Sequence, residues 1–447
     1  MNSDFSFKTI IRLALPAIFS QAAIVLVALL DQLFVGPFGP ISIAAVSISN
    51  NIVLATYNLF EGIRTGTNVL TAKYLGAKDE ESVSKILKLS FILALILGFA
   101  VLTLALFVRF NPFGDLFDLM GNNQTKLVGP NFLLITSAAA PFVLIFLATT
   151  GFFTGLKDSL TPFYLTLMII CFDLILDYAF VYGVFGYLKM GLWGAAVSTF
   201  FTYIFGAICC FVFLLKKRES KKFINFKFAV SSIKREYFKL FIEIGLYAGL
   251  LVSAFLIFLR LFKHIDPISF AAFHIVFTVF IIINLPSMGF LVAGASIVGK
   301  LVGEKRQYLI ISATRRIVLV ALIFDSLLSI VLLVFPGLIA GFFSPNDPAV
   351  QVIVSKLLWI VAITNIFGTV YLVLRGVLIG IHDTRFIVIE GLFSSYCIFL
   401  PFAYLLGIKL GYGILGGYIA YFIWTATDCF LFLWRFFSNE KARKFGG

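Results

Sequence analysis

Three carboxylates lie inside apolar segments, where charge is expensive. Asp173 and Asp177 stand four residues apart in CFDLILDY (Cys171 to Tyr178), and Asp31 sits in LLDQLFVG near the end of the first long apolar stretch. An ionised side chain at membrane depth costs at least about 2.5 kcal/mol on insertion scales, so such groups mark a proton or cation site by default. The plainer alternative is helix packing, with each carboxylate satisfied by a Ser, Thr or Arg neighbour. Four-residue spacing puts Asp173 and Asp177 on one helical face, and two buried carboxylates one turn apart favour a single shared proton over two negative charges.

Other polar residues follow the same helical logic. Asn51, Asn58, Glu61, Thr65 and Asn68 are spaced so that they share one face of the second apolar segment. That face suits either a substrate cavity or polar packing within the first half. Glu61 and Arg64 are three apart and able to neutralise each other. Arg260, Asp325, Asn365, Arg375, Glu390 and Asp428 read as interhelical tethers, and His264 and His274 carry no assigned role. Pro16 lies about four turns before Asp31, where its ring removes a helical hydrogen bond, making it a candidate hinge. Tyr247 occupies the corresponding position in the second half.

The elements that must hold these residues are membrane helices. The 447-residue chain is 61% hydrophobic and only 13% charged, against about a quarter charged in soluble domains. Apolar runs between polar breaks predict twelve spans, at 10–36, 41–72, 87–109, 128–156, 160–184, 190–215, 237–262, 268–301, 311–337, 349–381, 385–407 and 412–436. The formal net charge of +13 reads as topology: basic residues cluster in alternate loops such as KKRESKK and NEKARK. The opposite loops hold only Arg109, Lys126, Lys189, Lys263 and Lys409, which predicts both termini on the cytoplasmic side. Nucleic acid is not an expected partner. Cys171, Cys209, Cys210, Cys397 and Cys429 all lie in apolar spans, where disulfides and exposed metal sites are not expected. The N-terminus has basic residues but no small-residue cleavage signal, so the first helix is expected to be retained.

The two halves repeat. ISIAAVSI (Ile41 to Ile48), Gly62 and KYLGAK (Lys73 to Lys78) align without gaps with ISFAAFHI (Ile268 to Ile275), Gly289 and KLVGEK (Lys300 to Lys305). GFFTGLKD matches GVLIGIHD, and GLWGAA matches GILGGY, in the same order. With six spans per half, the units share one orientation, as in parallel-repeat transporters, and a cleft between them is expected. The predicted organisation is an N-terminal six-helix lobe over 1–222, a cytoplasmic linker over 223–236 and a C-terminal six-helix lobe over 237–447.

Over essentially its whole length the sequence resembles the multidrug and toxic compound extrusion (MATE) family, in the DinF-like branch with an N-lobe acidic site. The resemblance is carried by LALP, DQLFVG, KYLGAKD, GFFTGLKDSLTP, LILDYAFVYG and MGLWGAAVST in this order. It implies an all-α integral membrane protein with two six-helix lobes around a central cleft, and no enzyme activity. It further implies an antiporter that exports lipophilic, cationic small molecules by alternating access, driven by H+ or Na+. In members with an acidic residue late in the first helix, that carboxylate works with a fifth-helix Asn-x-x-x-Asp and a sixth-helix Thr, a pattern that Asp31, Asp177 and Thr199 match. Asp173 departs from it by standing where such members carry Asn, which adds a titratable group and leaves the choice of ion open. Carboxylate oxygens with the Thr199 hydroxyl would also suit Na+, the one metal expected, by the hard-oxygen logic of other cations. The counterparts of Asp173 and Asp177 fall near Ile398 and Phe402, and that of Asp31 near Phe258 or Phe262, so an acidic site is expected in one lobe only. No cofactor is expected beyond the coupling ion. The expected setting is a monomer in the inner (plasma) membrane, with small-molecule substrates and the bilayer as partners. Two alternatives carry weight: a lipid-linked saccharide flippase of the same superfamily, which would need an arginine-lined cavity, and an intramembrane prenyltransferase using Asp173 and Asp177 as an Asp-x-x-x-Asp motif.

Overall fold

The structure is a computed structural model that describes residues 6–35, 49, 52–53, 55–110, 123–183, 189–224, 231–262, 266–345 and 347–438, with backbone alone for 23–35, 123–128, 231, 232 and 267. The first half contains α1 (Phe7–Val35), α2 (Glu61–Gly76), α3 (Glu80–Phe110), α4 (Asn123–Ser137), α5 (Ala140–Gly155), α6 (Leu160–Asp177) and α7 (Leu192–Lys216). The second contains α8 (Ser231–Leu261), α9 (Pro267–Gly303), α10 (Ile310–Val334), α11 (Pro348–Gly380), α12 (Thr384–Phe393) and α13 (Gly413–Ser438). Among the described residues, nine helices are long and apolar enough to cross a membrane. The helices α4 and α5, bent by 45° to each other, are long and apolar enough only when taken together, and the expected unbroken span 128–156 is interrupted at Ala138 and Ala139. Pro141 at the start of α5 accounts for the break, because it cannot donate into the preceding turn. The first two expected spans correspond to α1 and α2; residues 36–48, 50, 51 and 54 lie outside the described set.

The backbone repeats as the sequence does. Left-handed residues terminate equivalent helices at Lys78 and Lys305 (φ 59° and 58°), and at Lys157 and His382 (65° and 64°). Gly191 and Gly413 (57° and 56°) begin equivalent ones. Glycines set equivalent helix crossings: a Cβ on Gly151 of α5 would sit 2.2 Å from the Arg64 carbonyl oxygen of α2, and one on Gly376 of α11 would sit 2.2 Å from that of Leu291 on α9. Both crossings therefore require a residue without a side chain. Beyond Asp177, residues Tyr178–Gly183 wind as a π-helix, and after α12 so do Ser394–Phe399 and Ala403–Lys409. The wider π turn is concentrated at functional positions in helices generally.

Packing groups the chain into two compact units, Phe19–Gly245 and Met1–Ile18 with Leu246–Gly447. In the first unit the opening of α8 docks on α2: Lys73 pairs with Glu236, Tyr74 donates to Glu236 at 2.8 Å, and Tyr237 and Thr67 share a hydrogen bond of 2.9 Å. A Cβ on Gly62 would lie 2.4 Å from the Phe241 carbonyl oxygen. In the second unit Gly289, the repeat partner of Gly62, meets α1 at Ala14 and Ile18. The sequence division at 222 and 237 marks the repeat; the compact units follow these crossings.

Candidate functional site

Asp173 and Asp177 lie on the buried face of α6, 7% and 2% exposed, while Cys171, Ile175 and Tyr178 between and beside them face outward. The helical period does this: positions four apart return to the same side. Opposite them runs α7, whose small residues Gly194, Ala195 and Ala196 allow close approach; a Cβ on Gly194 would lie 2.5 Å from the Phe180 carbonyl. From α7 the Ser198 hydroxyl donates to Asp177, and Thr202, one turn further along, lies within electrostatic reach of Asp173. Asp173 also faces the charge of Asp177. Asp173 Oδ1 and Thr202 Oγ1 have no hydrogen-bond partner among the described residues. An unsatisfied buried carboxylate oxygen is costly, so the arrangement has capacity for a proton or a bound cation. Among the described residues no group of three or more His, Cys, Asp or Glu is placed to hold a metal ion.

The other expected site residues are distributed differently. The side chain of Asp31 and the whole of Asn51 lie outside the described residues. Thr199, half-buried, donates to the Ala195 carbonyl at 3.0 Å, whereas Ser198, which the sequence reading passed over, reaches Asp177. On the second-segment stripe, Glu61 and Arg64 form an ion pair of 2.6 Å, and Thr65 donates to Glu61 at 3.4 Å. Asn58 is exposed; Asn68 is buried with its Oδ1 unpaired among the described residues. Pro16 is buried within the continuous helix α1.

The second half buries three carboxylates of its own, all among the residues expected as interhelical tethers. Asp325, Glu390 and Asp428 of the second half are 0%, 3% and 2% exposed. Asp325 of α10 accepts from Ser287 of α9 at 2.5 Å and from Thr369 of α11 at 2.8 Å, and Asn365 donates to Ser329 at 3.2 Å. These are tethers among three helices. Arg375 of α11 donates to Tyr247 at 3.0 Å and Tyr371 at 3.1 Å, with Glu390 and Asp428 within electrostatic reach. None of these three acids stands at the repeat counterparts of Asp173 and Asp177, near Ile398 and Phe402.

Comparison with known proteins agrees with this architecture. The MatE family model matches residues 16–179 and again 245–405, once in each half. "Probable multidrug resistance protein NorM" of Photorhabdus laumondii is 23% identical over 90% of this chain and 88% of its own length. The protein of the same description from Bacillus cereus is 25% identical over 98% and 97%. Among solved structures, a multidrug resistance MATE family transporter of the MOP superfamily in its outward-facing conformation superposes with a TM-score of 0.87 at 21% identity, covering 98% of this chain and 96% of that one. A MOP superfamily transporter from Pyrococcus furiosus, described as having a binding pocket of reverse polarity, gives 0.84 at 21% identity, covering 96% and 94%. The fold is the twelve-helix, two-lobe one of these transporters. With the family model matched in both halves, the chain belongs to the multidrug and toxic compound extrusion (MatE) family and is a membrane transporter, not an enzyme.

Proposed function

We propose that the protein is an antiporter in which inward movement of H+ or Na+ drives export of lipophilic, cationic small molecules. The observation that carries this reading is the buried pair Asp173 and Asp177, one turn apart, facing Ser198 and Thr202 across two helices. Two ionised carboxylates there would repel each other in a low-dielectric setting. A proton or Na+ relieves that repulsion, and it also removes the attraction that a cationic substrate would feel. Exchange then follows, because a ligand shifts a two-state protein only through its different affinity for the two states. Asp31 and Thr199 complete the proposed ion site, Asn51, Asn58, Glu61, Thr65 and Asn68 the proposed substrate-facing stripe, and Pro16 the proposed hinge. The proposed setting is the inner membrane, with both termini cytoplasmic.

A flippase for anionic lipid-linked saccharides would need free cationic side chains. Of the three arginines that would serve such a cavity, Arg64 is paired with Glu61, Arg375 is bound to two tyrosines and Arg260 is exposed; the engagement of the first two favours the exporter. The test is efflux of a fluorescent organic cation from proteoliposomes under an imposed pH gradient and, separately, an imposed Na+ gradient. Export driven by one of them is expected; export indifferent to both would overturn the reading.

A further inference from the structure

The second half contains a cavity of about 230 Å³ whose walls are largely aromatic, among them Phe255, Phe258, Phe277, Phe399, Tyr421 and Trp424. Its position in the repeat is informative. Gly194 faces the Phe180 carbonyl as Gly416 faces that of Leu406, so α7 maps onto α13 and the end of the fifth span onto the end of the eleventh. Carried through this correspondence, Thr199 falls on Tyr421, Thr202 on Trp424 and Asp173 on Phe399. Asp31 falls on Phe258 by the constant offset that relates Gly62 to Gly289. The place that holds buried carboxylates and hydroxyls in the first half is an aromatic chamber in the second.

We propose that this cavity binds an uncharged, flat aromatic compound, or the ring system of a larger one. The size fits: an apolar cavity of about 150 Å³ admits one benzene ring, so this one suits a compound of about two or three fused rings. Two polar groups of its walls are already engaged: Trp424 donates its indole N–H to Ser394 at 2.9 Å, and the Tyr418 hydroxyl donates to the Phe273 carbonyl at 3.4 Å, so neither is left to compensate a polar ligand for its lost water. Charge is not what the walls select. A cage for an organic cation presents open ring faces, but Phe399 is stacked between Phe258 and Trp424 at centroid distances of 5.2 and 4.9 Å, and Phe255 stacks on Phe277 at 5.1 Å. Ring edges and the remaining faces suit a further flat ring. Only where the bound rings are the uncharged part of a larger cation does transport as cargo follow, and that rests on the exporter reading; binding itself does not.

The test uses the purified full-length protein in lipid nanodiscs, titrated with anthracene while tryptophan emission is followed, with no ion gradient imposed. Saturable quenching is expected. Trp424→Phe, which removes the donor in the cavity wall, should lower its amplitude. Ala254→Phe, which fills the cavity, should weaken binding at least about tenfold, and Leu251→Phe on the same wall replaces it if that variant does not fold. Quenching that rises linearly without saturation, alike in wild type and the filled variant, is partition into lipid and overturns the proposal. Displacement of anthracene by tetramethylammonium would overturn the uncharged class. Because nothing is transported, loss of binding would leave ion-coupled export standing, and failure of coupling would leave the binding result standing.

Discussion

Ser198 on α7 donates its hydroxyl to Asp177 on α6, joining the two helices that the first-half acidic site spans. The same hydroxyl lies 2.9 Å from the Ala195 carbonyl of its own helix. A small side chain on a neighbouring helix thus contributes directly to the environment of a buried carboxylate. Its removal would leave a buried acceptor short of a donor, a cost of about 1–3 kcal/mol. Ser198→Ala should therefore move the H+ or Na+ concentration of half-maximal export by roughly tenfold, one factor of ten corresponding to about 1.4 kcal/mol. Thr199→Val, which loses a bond to a backbone carbonyl, should move it less. Concentration-dependent efflux in proteoliposomes measures both, and equal effects would contradict the geometry.

Between the membrane spans, Asp158 is contacted by Lys217 at 2.5 Å, and in the second half Asp383 is contacted by Arg435 of α13 at 2.8 Å. Each pair ties the turn before the fifth or eleventh span to the end of the last helix of its half. Burial pushes the Asp158 carboxyl up, but hydrogen bonds from Lys217 and Thr161 outweigh it and hold the group below the usual carboxylate range. A depressed carboxylate stabilises the fold above its unfolded value, near about pH 3.9, and loses that contribution as pH falls through the folded value. Lys217→Met should cost about 1 kcal/mol at neutral pH, a figure that allows for the partial exposure of the pair. The difference from wild type in thermal melting should shrink below about pH 4. A difference independent of pH would mean that the lysine acts through packing alone.

Helix crossings in both halves depend on glycine. Gly151→Val and Gly376→Val would each drive a side chain into a carbonyl oxygen 2.2 Å from the new Cβ, costing about 3 kcal/mol or more because backbone has little room to yield. Gly337→Val, in the short helix Pro336–Phe343 with nothing within 4 Å, should change little. Folded yield and melting temperature distinguish the three. A stable Gly376→Val would show that α9 and α11 can separate.

Pro16 lies inside α1 without ending it. If bending at this residue accompanies transport, Pro16→Ala should slow export several-fold while folded yield stays at the wild-type level. Unchanged export and unchanged ion dependence would remove Pro16 from the mechanism.

Much of this was legible in the chain because the bilayer imposes long-range regularity. Spans had to be about 20 apolar residues long, and the constant offset from Gly62 to Gly289 exposed the repeat that Gly151 and Gly376 express in three dimensions. Asp173 and Asp177 stood out because charge in an apolar run has few explanations. Ser198 and Thr202 did not, since hydroxyl residues in membrane helices so often bond to their own backbone, as Thr199 does here. Glu390 and Asp428 are 38 positions apart and meet only through the packing of the final spans, and the turn at Ala138 needed the local effect of Pro141. The aromatic cavity was hidden for another reason: Phe258, Phe399 and Trp424 look like lipid-facing filler among 54 phenylalanines until they are seen to line one space.

The central claim is that Asp173 and Asp177 couple ion entry to export. It is tested most directly by efflux of an organic cation from proteoliposomes containing the folded double variant Asp173→Asn, Asp177→Asn, under the gradient that drives the wild type. The account predicts loss of gradient-driven export by about a hundredfold, with passive exchange of the bound cation retained, since about 2.7 kcal/mol of coupling free energy would be removed. Gradient-driven export at the wild-type rate would contradict it.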